Sequence, residues 1–209
     1  MESIPIASLG RIKIISMDYR QGPEHVFPAA SEDAEAVYRA LLKQYKPAEI
    51  GIYGCSAGGV LTGGAVARPI VRKLPTPGAI GTFCGSLGNM EGDSAYIAPL
   101  LNGQAVPVTP SMLDALPYFK GADPADPQVF PGHSPASLAK FPPTLLISGT
   151  RDFAMSSVIR SQALLSQAGV NTELHVWDGM WHSFFSDPEL PESHRDAVIV
   201  KFFERHLEH

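Results

Sequence analysis

The chain has no excess of basic residues and no long apolar segment, and these absences exclude several classes of protein. Its 16 Lys and Arg stand against 21 Asp and Glu, which gives a net charge of −5. Nucleic acids and anionic membranes bind clustered Lys and Arg, so neither is an expected partner. No apolar run approaches the roughly 18 residues that suggest a membrane span, and the N-terminus lacks the basic and apolar regions of a secretory signal. We therefore expect a cytoplasmic protein.

Cysteine is also scarce, since the chain holds only Cys55 and Cys84. Two cysteines cannot form a disulfide framework and are compatible with reduced thiols in a cytosolic enzyme. They end neighbouring predicted strands, where they either approach one another near a site or, as we favour, are two buried free thiols. The sequence contains no metal-ligand cluster, phosphate-binding loop or dinucleotide fingerprint, so no cofactor is predicted.

Short apolar runs alternate with helical patterns along the chain. The predicted strands are residues 11–17, 50–53, 79–83, 144–148 and 173–177. Predicted helices begin at Ser31 and after Ser56, and two more cover residues 156–168 and 193–206. The first should bury a face made of Ala34, Val37, Tyr38, Leu41, Leu42 and Tyr45. This alternation predicts an α/β fold: a mostly parallel sheet with helices on both faces and functional residues at the carboxyl ends of the strands.

One long segment departs from the alternation. Residues 85–143 break into short pieces rich in Pro and Gly, which predicts an irregular insertion within a single domain of residues 1–206. Residues 207–209 look like the remnant of an expression tag.

The pentapeptide from Gly54 to Gly58, Gly-Cys-Ser-Ala-Gly, fits the GxSxG pattern of a nucleophile elbow. The pattern alone is moderate evidence, but here it follows a predicted strand and opens a predicted helix, as a sharp turn presenting a serine hydroxyl requires. We expect both flanking glycines to serve that turn, because a side chain there would collide with neighbouring backbone. Ser56 is the candidate nucleophile, and the N–H of Ala57 is a candidate donor to an oxyanion.

A serine hydroxyl needs a base, and the base needs an acid that fixes its tautomer and stabilises its charge. His182 follows the fifth predicted strand, where it can reach across the carboxyl edge of the sheet. Asp152 follows the fourth strand and is the natural acid, with Asp178 as its main competitor. We expect the His182 ring to lie between Ser56 and the acid. Cys55, Phe153 and Trp181 adjoin these residues in sequence and are candidate substrate contacts, although ordinary packing explains each of them equally well.

Several ordered motifs together resemble the hormone-sensitive-lipase-like branch of the α/β hydrolases, the bacterial family IV esterases. They are Asp-Tyr-Arg at 18–20, Pro-Glu-His at 23–25, Phe-Pro-Ala-Ala at 27–30, the elbow at 54–59, Gly-Thr-Arg-Asp at 149–152 and Trp-His at 181–182. The resemblance implies a carboxylic ester hydrolase for short acyl chains, with Ser56 as nucleophile, His182 as base and acid, and Asp152 orienting it. A small-molecule ester is the implied partner. The sequence differs from the usual residues of the family at Gln21-Gly22 and at Cys55. These differences leave Ser56, His182 and Asp152 unchanged.

The larger departure lies at the start of the chain, where 17 residues precede Asp18 and no His-Gly-Gly segment occurs. Members of the family carry earlier strands and a His-Gly-Gly-Gly loop that supplies most of the oxyanion hole. We therefore expect weakened catalysis. The alternatives are a non-catalytic remnant, or a peptidase or thioesterase that uses the same residues.

The same departure should leave a vacancy beside the strand that carries the elbow. Either residues 11–17 pair directly with residues 50–53, or a second chain covers the exposed edge. We favour association, and hence a homo-oligomer.

Overall fold

The computed structural model describes residues 3–105, 113, 116–186 and 195–208. Four strands form one parallel sheet in the order β1-β2-β3-β4. They are β1 (Gly51–Cys55), β2 (Ala79–Phe83), β3 (Thr144–Arg151) and β4 (Thr172–Trp181). In the register, Gly51 pairs with Ala79, Ile80 with Thr144, and Thr144 with Thr172. All three strand pairs are parallel, so the carboxyl ends of the four strands meet at one edge of the sheet.

Helices cover both faces of this sheet, which confirms the predicted fold class. They are α1 (Ser3–Gly10), α2 (Ala29–Leu41), α3 (Ala57–Val71), α4 (Ser94–Leu101), α5 (Pro135–Leu138), α6 (Met155–Gln167) and α7 (Arg195–His206). Short 3₁₀ turns lie at Pro47–Glu49, Pro117–Phe119, Pro131–His133 and Phe184–Ser186. None of the helices in the described ranges is both long and apolar enough to cross a membrane.

The core is divided by the sheet, because successive strand residues point to opposite faces. On one face Leu145 and Ile147 pack with Ile6 of α1 and with Phe202 of α7. On the other face Leu146 packs with residues of α3, α5 and α6. β2 is buried along its whole length, whereas β1 lies at the edge of the sheet and is partly exposed. Among the described strands, the elbow strand therefore has a hydrogen-bonded neighbour on one side only.

The predicted strand at residues 11–17 is wrong. Residues 12–20 have no regular secondary structure, and β1 pairs only with β2 among the described strands. Ile12 and Ile14 pack on the core while Ile15 is 49% exposed. A segment that packs on the core with one side can therefore show the alternating pattern typical of a strand. It does so here without a hydrogen-bonded neighbouring strand. The direct pairing of residues 11–17 with residues 50–53 is wrong for the same reason.

The first predicted helix begins and ends earlier in the structure than the sequence predicts. α2 begins at Ala29, after Pro28, so Ser31 is a buried residue inside the helix and not its cap. The helix ends at Leu41, and Tyr45 lies beyond it on the surface. The buried face includes Glu35, which binds Arg68 of α3 at 2.5 Å and Arg39 at 2.7 Å. An ion pair therefore occupies part of the contact between α2 and α3.

The insertion and the end of the chain complete the fold. Within residues 85–143 the described part holds α4, α5 and two 3₁₀ turns, and it contains no strand. At the end of the chain, Leu207 packs on the core around Phe203, and the Glu208 N–H donates to Ala48 O over 3.0 Å.

Candidate active site

The site begins at a sharp turn between β1 and α3. Ser56 lies at this turn with φ 54° and ψ −118°, a backbone conformation that residues other than glycine rarely adopt. Its N–H donates to Phe83 O of β2 over 2.8 Å, which anchors the turn to the sheet. The hydroxyl is therefore presented above the carboxyl edge by backbone that the surrounding structure holds in place.

Close backbone packing makes this turn possible, but not at both predicted glycines. A Cβ on Gly54 would lie 2.4 Å from Gly58 O, and a Cβ on Gly59 would lie 2.9 Å from Phe83 O. A Cβ on Gly58 would meet nothing within 4 Å. The expectation of a collision at Gly58 is therefore wrong, and Gly59 is the second residue at which the packing excludes a side chain.

The structure brings Ser56, His182 and Asp152 into one hydrogen-bonded chain. The Ser56 hydroxyl donates to His182 Nε2 over 2.8 Å. His182 Nδ1 lies 2.7 Å from Asp152 Oδ1 and donates to it. Asp152 is fully buried, whereas the His182 side chain keeps 22% of its surface exposed. The ring therefore connects a buried carboxylate with a hydroxyl at the edge of the sheet.

The buried carboxylate of Asp152 is charged because several donors surround it. Burial by itself raises its pKa, but the hydrogen bond and charge of His182, the Ala154 N–H and the Ser148 hydroxyl together lower that pKa below its usual value. Ala154 N lies 2.9 Å from Oδ1 and Ser148 Oγ lies 2.8 Å from Oδ2. Asp152 is thus an anion at neutral pH and can stabilise an imidazolium.

The competing acid Asp178 and two other histidines lie elsewhere. The Asp178 carboxylate accepts a hydrogen bond from Thr150 Oγ1 over 3.1 Å and does not contact His182. His133 Nδ1 binds Pro124 O, and His175 lies beside Glu173. Among the described residues, Asp152 is the only carboxylate that binds the His182 ring.

The two cysteines lie directly behind the hydrogen-bonded chain as free thiols. Cys55 Sγ is 3.0 Å from Ser183 Oγ, and the Ser183 N–H donates to Cys84 Sγ over 3.4 Å. The hydrogen bond with Cys55 and burial both raise the pKa of Cys84. The Cys84 sulfur also lies within 4.8 Å of ligand atoms of Asp152 and His182. A metal at these three groups would require a thiolate and would displace the hydrogen bond between Asp152 and His182.

The predicted substrate contacts occupy three different environments. Cys55 directs its sulfur toward Ser183, Trp181 is 41% exposed at the end of β4, and Phe153 stacks on the His182 ring. Their roles toward a substrate stay predictions. Sequence reasoning missed Ser148, whose signal was a polar residue directly after the apolar residues 145–147 of β3, four positions before Asp152.

The N-terminus of α3 supplies a donor beside the serine. Ala57 is the first residue of this helix, so its N–H has no acceptor within the helix. The helix dipole also places partial positive charge at this end. Negative charge that develops on an atom next to Ser56 Oγ would meet this N–H.

Comparisons with known proteins agree on one family. A family model described as alpha/beta hydrolase fold matches residues 5–186. The chain is 29% identical over 196 residues to an acetyl-hydrolase of Streptomyces hygroscopicus, covering 92% of this chain and 64% of that protein. The chain therefore spans about two thirds of the length of this relative.

Solved structures show the same similarity. The crystal structure of an esterase E25 is 36% identical with a TM-score of 0.86, over 99% of this chain and 64% of that one. An esterase from the bacterial hormone-sensitive lipase family is 30% identical with a TM-score of 0.86, over 98% of this chain and 69% of that one.

Proposed function

Because this chain belongs to the hormone-sensitive lipase family of the α/β hydrolases, we propose that it hydrolyses carboxylic esters with short acyl chains through a Ser56–His182–Asp152 triad. The hydrogen-bonded chain of these three side chains carries the proposal. The similarity to proteins named acetyl-hydrolase and esterase supports the substrate class.

In the acylation step, Ser56 Oγ attacks the ester carbonyl while His182 Nε2 takes the hydroxyl proton. The imidazolium is stabilised by the buried anion of Asp152, which stays ionised because its pKa is lowered. The Ala57 N–H donates to the oxyanion of the tetrahedral intermediate. His182 then gives its proton to the leaving alkoxide, and the acyl group stays on Ser56 as an ester.

Deacylation repeats these roles with water. His182 Nε2 takes a proton from the attacking water, and the second tetrahedral intermediate collapses to release the carboxylic acid. Ser56 Oγ recovers its proton from the imidazolium. Ser56, His182, Asp152 and the Ala57 N–H thus have the same roles in both half-reactions.

The oxyanion site sets the expected rate. Among the described residues, the elbow supplies one donor for the oxyanion, the Ala57 N–H. Removing one oxyanion donor typically costs about 10² to 10³ in rate. We therefore expect weak turnover that favours activated esters, whose leaving groups depart easily from the tetrahedral intermediate.

Hydrolysis of p-nitrophenyl acetate and butyrate tests the proposal. We expect Ser56→Ala to abolish turnover, while Ser166→Ala, which changes an exposed serine near the end of α6, keeps the wild-type rate. A phosphonate inhibitor should label Ser56 with one equivalent by peptide mass spectrometry. Equal rates in the wild type and in Ser56→Ala would instead support a non-catalytic protein. Efficient hydrolysis of unactivated esters would show that another donor completes the oxyanion site.

A further inference from the structure

The His182 ring is held at its two nitrogens by bonds that lie along its edge. Nδ1 is 2.7 Å from Asp152 Oδ1, and Nε2 is 2.8 Å from Ser56 Oγ. The two nitrogens flank Cε1, and both hydrogen bonds lie in the plane of the ring, so they restrain its tilt only as far as hydrogen bonds resist bending. A contact on the face of the ring adds a direct restraint on that tilt.

Phe153 makes this contact. Its ring centroid lies 4.2 Å from that of His182 with 24° between the planes, which is a stacked arrangement. Phe153 directly follows Asp152 in sequence, so consecutive residues bind the edge and cover the face of the same imidazole.

The turn that carries Phe153 is itself tied down. The Ser94 hydroxyl donates to Phe153 O over 2.8 Å, which connects this turn to the first residue of α4. Ser94 and Ser156 also exchange hydrogen bonds, with each backbone N–H donating to the hydroxyl of the other at 3.1 and 2.9 Å. The Phe153 side chain packs on the core formed with α3 and α6. Phe153 therefore has little freedom to follow a moving histidine.

We propose that Phe153 is a positioning residue for His182, which holds the plane of the imidazole and stabilises the imidazolium that forms during acyl transfer. This inference rests on the proposed function. The face of an aromatic ring attracts a cation within about 6 Å of its centroid. The imidazole gains a positive charge when it takes the Ser56 proton, so the stack favours the transition state more than the ground state. Such an interaction raises kcat and leaves KM nearly unchanged.

Three substitutions separate the parts of this proposal. Phe153→Leu removes the ring and keeps an apolar side chain, and Phe153→Tyr keeps the ring. Incorporation of 3,4,5-trifluorophenylalanine at position 153 keeps the shape but weakens the negative face. We expect Phe153→Leu to lower kcat about tenfold with KM changed less than about twofold. Phe153→Tyr should keep the wild-type kcat, and the trifluoro variant should fall between the two.

Two further readouts do not depend on turnover. The low-field proton resonance of the His182 Nδ1–H should be sharp in the wild type and in Phe153→Tyr, and it should broaden or disappear in Phe153→Leu. The rate of single labelling of Ser56 by a phosphonate should follow the same order. Thermal unfolding of each variant shows that the fold is retained.

Each outcome has a defined meaning. Wild-type kcat and an unchanged low-field proton in Phe153→Leu would overturn the positioning role, as would equal losses in Phe153→Leu and Phe153→Tyr. A trifluoro variant with the wild-type kcat would overturn the charge stabilisation. Failure of the wild type to react with the phosphonate would refute the proposed function, while the proton resonance would still decide whether Phe153 orders the histidine.

Discussion

Replacement of Ser148 by alanine should destabilise the protein through the buried charge of Asp152. Among the described residues, the Ser148 hydroxyl is the one donor to Asp152 Oδ2, over 2.8 Å, and both side chains are fully buried. A water that replaced this donor would have to enter the protein interior. Ser148→Ala therefore leaves one oxygen of a buried carboxylate without a partner.

The size of the effect follows from this geometry. A hydrogen bond to a charged group contributes about 1.5 to 3 kcal/mol to stability, and an unsatisfied buried acceptor loses that contribution. We expect the free energy of unfolding to fall by about 2 kcal/mol at pH 7. For a domain near 200 residues each kcal/mol shifts Tm by about 2 to 4 °C, so Tm should fall by about 4 to 8 °C.

The chain offers a matched control in Ser137. Its hydroxyl is also buried, but within the described residues it has no hydrogen-bond partner. Ser137→Ala should therefore change the free energy of unfolding by less than about 0.5 kcal/mol or increase it. Urea unfolding of both variants at pH 7 measures the difference. Equal destabilisation by the two substitutions, or none in Ser148→Ala, would refute the role of the Ser148 hydrogen bond.

The pH dependence provides a second check with a defined sign. The folded-state pKa of Asp152 is lowered, so the ionised group contributes stability above its unfolded pKa of about 3.9 and loses it as the pH falls through the folded pKa. Ser148→Ala removes one of the interactions that lower this pKa. The difference in stability between wild type and variant should therefore be full at pH 7 and shrink as the pH falls below about 4.

Three other predictions concern the turn, the contact between α2 and α3, and the open edge. Gly54→Ala should destabilise the fold by at least about 3 kcal/mol, because its Cβ would lie 2.4 Å from a backbone oxygen. Gly58→Ala, measured beside it by urea unfolding, should be neutral or stabilising by up to about 1 kcal/mol. Arg68→Met should lower the free energy of unfolding by about 2 kcal/mol, which is less than the loss of a partner costs in an isolated buried ion pair, because Glu35 still pairs with Arg39. Similar stability of the variant and the wild type would contradict this. The partly exposed edge of β1 should lead to self-association at micromolar concentration, which light scattering measures and a clean monomer would contradict.

Much of the fold was predictable because its signals are local. Four of the five predicted strands occur, since each combines a short apolar run with flanking turn residues. The first predicted strand, at residues 11–17, showed a similar pattern but does not form. A strand exists only where another strand pairs with it, and no sequence pattern within seven residues reports that partner. α1 was missed for a related reason: much of its stability comes from packing on α7, which is distant in sequence.

The candidate site shows the same division between local and long-range information. Ser56, Asp152 and His182 could be selected because each follows a predicted strand, and parallel strands bring their carboxyl ends together. The contacts that support these residues could not be selected in this way. Ser148 lies inside an apolar strand, and the stacking of Phe153 on His182 joins residues 29 positions apart along the chain.

The sequence by itself determined the elements and their order: the strand that leads into the elbow, the glycine at position 54, and the positions of Ser56, Asp152 and His182 at strand ends. Only the tertiary structure decided that Asp152 and not Asp178 binds the imidazole, that Gly59 and not Gly58 is crowded, and that residues 12–20 do not pair with β1. The physical reason is range. Backbone preferences and apolar periodicity act over a few residues, whereas a hydrogen-bond partner, a collision and a missing neighbour are set by residues that only folding brings together.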